Sequence, residues 1–181
     1  MTAKKIISVI SILIFISLFF IIAKAHAGAL EEAMEQGKDY VSKGMYAEAI
    51  VEFTRVIDWD SKNTEAYYNR AQAYHKNKMI DMAILDYTKA IENNPGNAEI
   101  YFNRGIAYYY QDFPDQAIAD WDKAIELSPE SADIYQKRAY AYFKKEKYDK
   151  SWEDVHKIEA LGYKLPAKFL EDLRKASGRD K

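Results

Sequence analysis

The sequence predicts an all-α fold, a solenoid of four stacked helix-turn-helix units closed by a C-terminal capping helix. Three observations predict it. From Leu30 the chain aligns with itself at a period of 34 residues, with starts at Thr64, Ala98 and Ala132 and no insertion. Within each period, large and small apolar residues recur at fixed places. Gly occurs 7 times and Pro 4 times in 181 residues, too sparse a supply of turn residues for an all-β domain of this size.

Taken in order, the first 27 residues read as an address. Met1 to Lys5 is short and positive, Ile6 to Ala23 is an uncharged apolar run of 18, and Ala25-His26-Ala27 offers the small residues a signal peptidase selects. At ~1.5 Å per residue the run reaches ~27 Å, close to a bilayer core. Two fates follow: a signal peptide cleaved after Ala27, giving a bacterial periplasmic protein, or an N-terminal anchor in the inner membrane with Lys4 and Lys5 in the cytoplasm. In either, residues 28 to 181 lie outside the cytoplasm, and membrane contact is confined to residues 6 to 23 of an uncleaved chain. There is no Cys, so no lipoprotein anchor, disulfide or thiolate chemistry is available.

Residues 28 to 163 hold the four copies: 30–63, 64–97, 98–131 and 132–163. Position 4 of each is Ala33, Tyr67, Tyr101, Tyr135; position 8 is Gly37, Ala71, Gly105, Ala139; position 11 is Tyr40, Tyr74, Tyr108, Tyr142. Small residues at position 20 (Ala49, Ala83, Ala117, Ser151) and large ones at position 24 (Phe53, Tyr87, Trp121, Val155) mark a second helix. At 100° per residue, positions 4, 7, 8 and 11 share one side of the first helix, whereas 2, 5, 6, 9, 12 and 13 lie opposite. Asn94-Pro95-Gly96 and Ser128-Pro129 stop second helices, because Pro donates no N–H and biases its predecessor away from α. Pro114 stands where a second helix begins, which Pro tolerates. Leu165, Phe169, Leu173 and Ala176 share the face of a capping helix over 164–176, leaving 177–181 as a flexible tail. Position 7 (Arg70, Arg104, Arg138) and position 23 (Asp86, Asp120, Asp154) form a matched set, with Gln36 and Glu52 in the first copy; they read as a ladder of partly buried pairs that fixes register.

A 34-residue period with large residues at 4, 11 and 24, small ones at 8, 20 and 27, and Pro95 and Pro129 at 32 resembles the tetratricopeptide repeat. The first and last copies depart from that pattern at Ala33, Ser61 and Ser151. The resemblance implies a right-handed superhelix whose first helices line a groove that grips a segment of a partner protein. Carried onto this chain, the groove comprises Tyr68, Asn69, Gln72, Phe102, Asn103, Ile106, Tyr109, Tyr110, Lys137, Tyr140 and Phe143. Thus, of the five rings in YFNRGIAYYY (101–110), Tyr101 and Tyr108 belong to the core and Phe102, Tyr109 and Tyr110 to the groove. Asn69 and Asn103 are expected to hold a partner's backbone amides. The acidic row Glu31, Glu65, Glu99, Asp133 favours an apolar segment with a basic flank. Co-chaperone members grip a C-terminal carboxylate through Lys and Asn at 5 and 9, Asn at 6 of the next repeat, and Lys and Arg at 2 and 6 of the third. This chain offers Met34, Lys38, Asn69, Glu99, Asn103, or one repeat on Tyr68, Gln72, Asn103, Asp133, Lys137; only the Asn matches, which argues against chaperone-tail capture.

Other function classes find little footing. From residue 28 the balance is 23 basic to 28 acidic residues, unlike a nucleic-acid binder. No cofactor or metal is expected: His26, His75 and His156 are far apart, and neither GxxxxGK[ST] nor GxGxxG occurs. The expectation is a non-enzymatic, exported scaffold or adaptor with a protein or peptide partner. The alternative is a homo-oligomeric component of a cell-envelope assembly.

Overall fold

The computed structural model describes residues 3–179, with side chains from residue 15 onward except 21–23 and 25. It is all-α, with nine helices among the described residues, in two compact units, Met1–Ser61 and Lys62–Lys181.

The first unit is one antiparallel hairpin. Helix α1, Ala3–Ser42, is a single helix of 40 residues, so the first repeat's opening helix continues the N-terminal segment with no break at residue 27. Gly44, at φ 74°, turns the chain, a conformation that carries little cost only without a Cβ. Helix α2, Tyr46–Trp59, then buries Ala49, Phe53, Val56 and Ile57 against α1. Gly37 permits the close approach: a Cβ there would lie 2.5 Å from the Phe53 ring. Among the described residues, no helix is long and apolar enough to cross a membrane. Most of the Ile6–Ala23 run, on which the signal-or-anchor expectation falls, lies outside the described side chains.

The second unit carries three further hairpins and the cap. Helices α3 (Thr64–Lys76) and α4 (Ile80–Asn93), α5 (Ala98–Tyr110) and α6 (Pro114–Leu127), and α7 (Ala132–Lys144) and α8 (Tyr148–Ala160) pair in turn, followed by α9 (Ala167–Ser177). Asn63 and Asn97 cap α3 and α5 by accepting from the N–H groups of Ala66 and Glu99, and Pro114 opens α6 as expected. Between each pair, Lys78, Asp112 and Glu146, all at position 15, adopt φ of 63°, 61° and 57°, where Gly44 stands in repeat one.

Within each hairpin the Arg–Asp ladder forms. Arg70 grips Asp86 through Nε (2.7 Å) and Nη2 (2.9 Å), Arg104 grips Asp120 (2.8 and 2.7 Å), and Arg138 grips Asp154 (3.0 and 2.6 Å). Each guanidinium lies 5.6–5.8 Å from two Tyr rings of its own helix, such as Tyr101 and Tyr108 around Arg104. The third nitrogen reaches the preceding repeat: Arg104 Nη1 donates to Thr88 Oγ1 at 3.0 Å, and Arg138 Nη1 to Asp122 at 2.6 Å. The expected first rung is different. Gln36 donates to Glu32 of its own helix and Glu52 pairs with Arg55; among the described residues the two do not meet.

Leu165, Phe169 and Leu173 bury against Tyr135, Ala139, Trp152, Val155 and Ile158, closing the last repeat. Burying each such side chain contributes about 1.5–3 kcal/mol. Ala176, expected on that face, is exposed. The start of the supposed flexible tail is tied down: Trp152 Nε1 donates to Ser177 Oγ at 3.1 Å and Arg179 pairs with Asp149 at 2.8 Å.

Candidate functional site

The opposite side of α3, α5 and α7 presents two adjoining basins with different chemistry. The first, about 620 Å³, is walled by Ile106, Tyr109, Tyr110, Trp121, Tyr140, Phe143 and Phe169, with Lys137, Lys144 and Asp112 around it. Helical spacing explains its composition, since Ile106, Tyr109 and Tyr110 follow at i, i+3 and i+4 on α5, as do Tyr140, Phe143 and Lys144 on α7. Tyr109 leans on Trp121 at 5.9 Å, and Lys144 Nζ lies 5.4 Å from the Tyr109 ring while pairing with Asp112 at 2.7 Å. That pairing holds the Asp112 carboxyl below the usual carboxylate range. Phe169 arrives from α9, edge-on to Tyr140 at 4.3 Å and to Phe143 at 5.6 Å. Tyr110 is 71% exposed and lies 5.4 Å from the His75 ring. Burial, and secondarily Lys76, lowers the His75 pKa, so the imidazole is neutral at pH 7.

The second basin, about 500 Å³, is polar, with Gln72, Glu99, Phe102, Asn103, Ser131 and Asp133 among its walls. Tyr68 organises it. Its hydroxyl donates to the Glu99 carboxylate at 2.6 Å and accepts from Gln72 Nε2 at 2.7 Å and Asn103 Nδ2 at 3.1 Å. Burial, reinforced by Glu99, drives the Tyr68 pKa far up, so the phenol remains a donor at any physiological pH.

The structure therefore sorts the eleven groove residues predicted from sequence. Tyr110 and Lys137 are exposed. Phe102, Ile106 and Tyr109 are half-buried against the core of repeat three, so these side chains also serve in packing. Tyr140 and Phe143 likewise pack against the core that Phe169 closes. Tyr68, Gln72 and Asn103 are joined in one network. Asn103 already donates to the Glu99 carbonyl at 2.9 Å, and Asn69 Nδ2 is buried with no partner among the described residues. The Asn103 amide nitrogen is thus already engaged within the chain, whereas that of Asn69 is buried and unengaged. Glu99, one member of the acidic row, is engaged by Tyr68. Sequence reasoning missed Phe169 as a wall of the basin: its i, i+4 relation to Leu165 and Leu173 marks it as a cap residue, and nothing local reveals that the same ring also faces α7. Among the described residues, no group of three or more His, Cys, Asp or Glu side chains is placed to hold a metal ion.

Paired helices stacked at a fixed period, with a side-chain-lined face left open, define a helical-repeat interaction scaffold. Family models for the tetratricopeptide repeat match residues 64–97 and 86–119, and a further TPR repeat model matches 37–78 and 115–146. The chain belongs to the tetratricopeptide repeat family. Among solved structures, a crystal structure of MamA is similar at 26% identity and TM-score 0.73, over 80% of this chain and 84% of that one. MamA from Desulfovibrio magneticus RS-1 shares the fold at 22% identity and TM-score 0.70, over 74% and 75% of the two chains. The first TPR of Spaghetti (RPAP3), bound to the HSP90 peptide SRMEEVD, is similar at 27% identity and TM-score 0.62, over 64% of this chain and 91% of that one. No curated protein matches the chain in sequence.

Proposed function

We propose that this chain is an exported scaffold that takes an extended segment of a partner protein along α3, α5 and α7, seating an apolar side chain in the basin before Phe169. The observation that carries this is the basin itself: an open aromatic pocket whose walls include two exposed side chains, Tyr110 and Lys137. Rigid aromatic surface supplies contact area at small entropic cost, the usual chemistry of a binding hot spot. The RPAP3 structure holds a peptide on similar repeats, which supports this mode, while the residues here do not supply the cations of a carboxylate clamp. With Glu99 engaged and Lys137 and Lys144 beside the basin, a basic flank on the ligand fits towards Asp133 better than at the basin itself.

Photocrosslinking tests the reading. With p-benzoylphenylalanine in place of Tyr110, cells should yield a discrete heterologous adduct that the same substitution at Leu85, 60% exposed on α4, does not. Equal labelling from both positions would overturn groove binding, and an adduct of twice the chain mass would establish the homo-oligomeric alternative.

A further inference from the structure

We propose that the end of repeat one formed by His26 and Trp59 sits in the headgroup layer of a lipid bilayer, with the N-terminal segment retained as the anchor. This goes beyond the groove and concerns a different surface. Its basis is depth. Helix α1 runs unbroken from Ala3 to Ser42, so the distance from the apolar run into the repeat is fixed by helix geometry, not by a linker. His26 stands three residues beyond Ala23, the last residue of the run. At ~1.5 Å per residue that is ~4.5 Å past the hydrocarbon edge, inside a headgroup layer that is roughly 5–7 Å deep on each side.

The hairpin brings Trp59 to the same level. The turn at Gly44 lies at the far end of the hairpin, and α2 runs back so that its last residue, Trp59, stacks on His26 with ring centroids 4.6 Å apart at 14°. Trp59 is 61% exposed, whereas Trp121 and Trp152 are 1% and 8% exposed. An exposed apolar ring alone is ordinary. Here, however, it is carried at the depth where Trp is enriched in membrane proteins, its ring suited to a layer that is apolar on one side and wet on the other. Lower on α1, Phe15, Ile16, Leu18, Phe19 and Phe20 are all exposed. At 100° per residue these side chains span an arc of about 200°, wider than the stripe of about 100° that a helix ordinarily packs on protein, as suits a segment solvated by lipid. Retention is part of the same proposal: in the folded chain the bond after Ala27 lies inside a helix and next to the stacked His26, whereas a peptidase takes it in extended form.

The test uses the full chain in phosphatidylcholine vesicles, with and without bromine at acyl carbons 6 and 7. Wild type should lose emission in the brominated vesicles and Trp59→Phe should lose little, because the two remaining indoles are buried in the second unit. Circular dichroism of Trp59→Phe checks its fold. Since the chain has no Cys, a fluorophore on Asp58→Cys gives a second depth reading independent of that variant. Equal quenching of wild type and variant, with no bromine response of the Asp58→Cys probe, would overturn the proposal. So would a mature chain from native membranes that begins at Gly28. Shielding of Trp59 that depends on protein density and not on bromine would assign the surface to a second copy, and would equally overturn it.

Discussion

Repeat one and repeats two to four share their packing but differ in what joins their two helices. In both regions a small residue at position 8 admits a large one at position 24: Gly37 faces Phe53, and Gly105 faces Trp121, where an added Cβ would lie 2.6 Å from Nε1. Only the later repeats add a bidentate Arg–Asp pair between two Tyr rings. In repeat one, Ala33 replaces the first ring and Gln36 and Glu52 bond within their own helices. Steric fit is thus enough to make the hairpin. The buried pairs add orientation, and through Thr88 and Asp122 they add registry with the preceding repeat.

The comparison can be broken most severely where the regions agree. Leu at position 105 must displace Trp121, so Gly105→Leu should cost more than about 3 kcal/mol and abolish the cooperative melt of the second unit. Gly37→Leu should do the same to the first hairpin, measured by loss of helicity. A cooperative melt in Gly105→Leu would show that position 8 does not face position 24.

Where the regions differ, substitution effects should differ too. Arg104→Met strands the buried Asp120 and should cost about 3 kcal/mol, whereas Gln36→Met should fall within about 0.5 kcal/mol. Denaturant titration reads both. Replacing the partner as well, in Arg104→Met with Asp120→Leu, should recover at least half of the loss; failure to recover would mean that the pair contributes net stability. At position 15, Gly44→Ala should cost about 1 kcal/mol, whereas Lys78→Gly should gain between zero and about 1 kcal/mol as left-handed strain is exchanged against chain entropy.

The smallest effect is a pH response. His75 has its pKa lowered in the folded state, by burial first and Lys76 second, so the unfolded chain takes up the proton first as pH falls. The linked stability is then complete above about 6.5 and declines as pH drops below it. His75→Gln should remove that decline, and repeat one, with Val41 at the equivalent position, should lack it. Thermal melts between pH 8 and 5.5 would show this.

The architecture was legible because each repeat restates it: four aligned copies of positions 4, 8, 11, 20 and 24 place every second-unit hairpin, and the recurrence of Arg and Asp predicts a contact across 16 residues. The candidate site was only half legible. Periodicity puts Tyr109 and Tyr140 on the face away from their partner helices, but whether such a ring is free depends on neighbours that local spacing does not encode. Trp121 reaches Tyr109 across the helix pair, and Phe169 reaches Tyr140 from beyond the last repeat. Likewise, identical residue types at 69 and 103 have different fates because Tyr68 and the Glu99 carbonyl meet only Asn103.

The bonds that connect one repeat of the second unit to the next are short in sequence: 16 residues from Thr88 to Arg104, 35 from Tyr68 to Asn103. A chain wired this way has low contact order, and closing such loops costs little time or entropy. Within the second unit, as synthesis proceeds from the N-terminus, each new 34 residues find their docking surface already waiting in the repeat just completed. Folding of that unit can then keep pace with emergence, and duplication or loss of one whole period inside it would leave its junctions with matching neighbours.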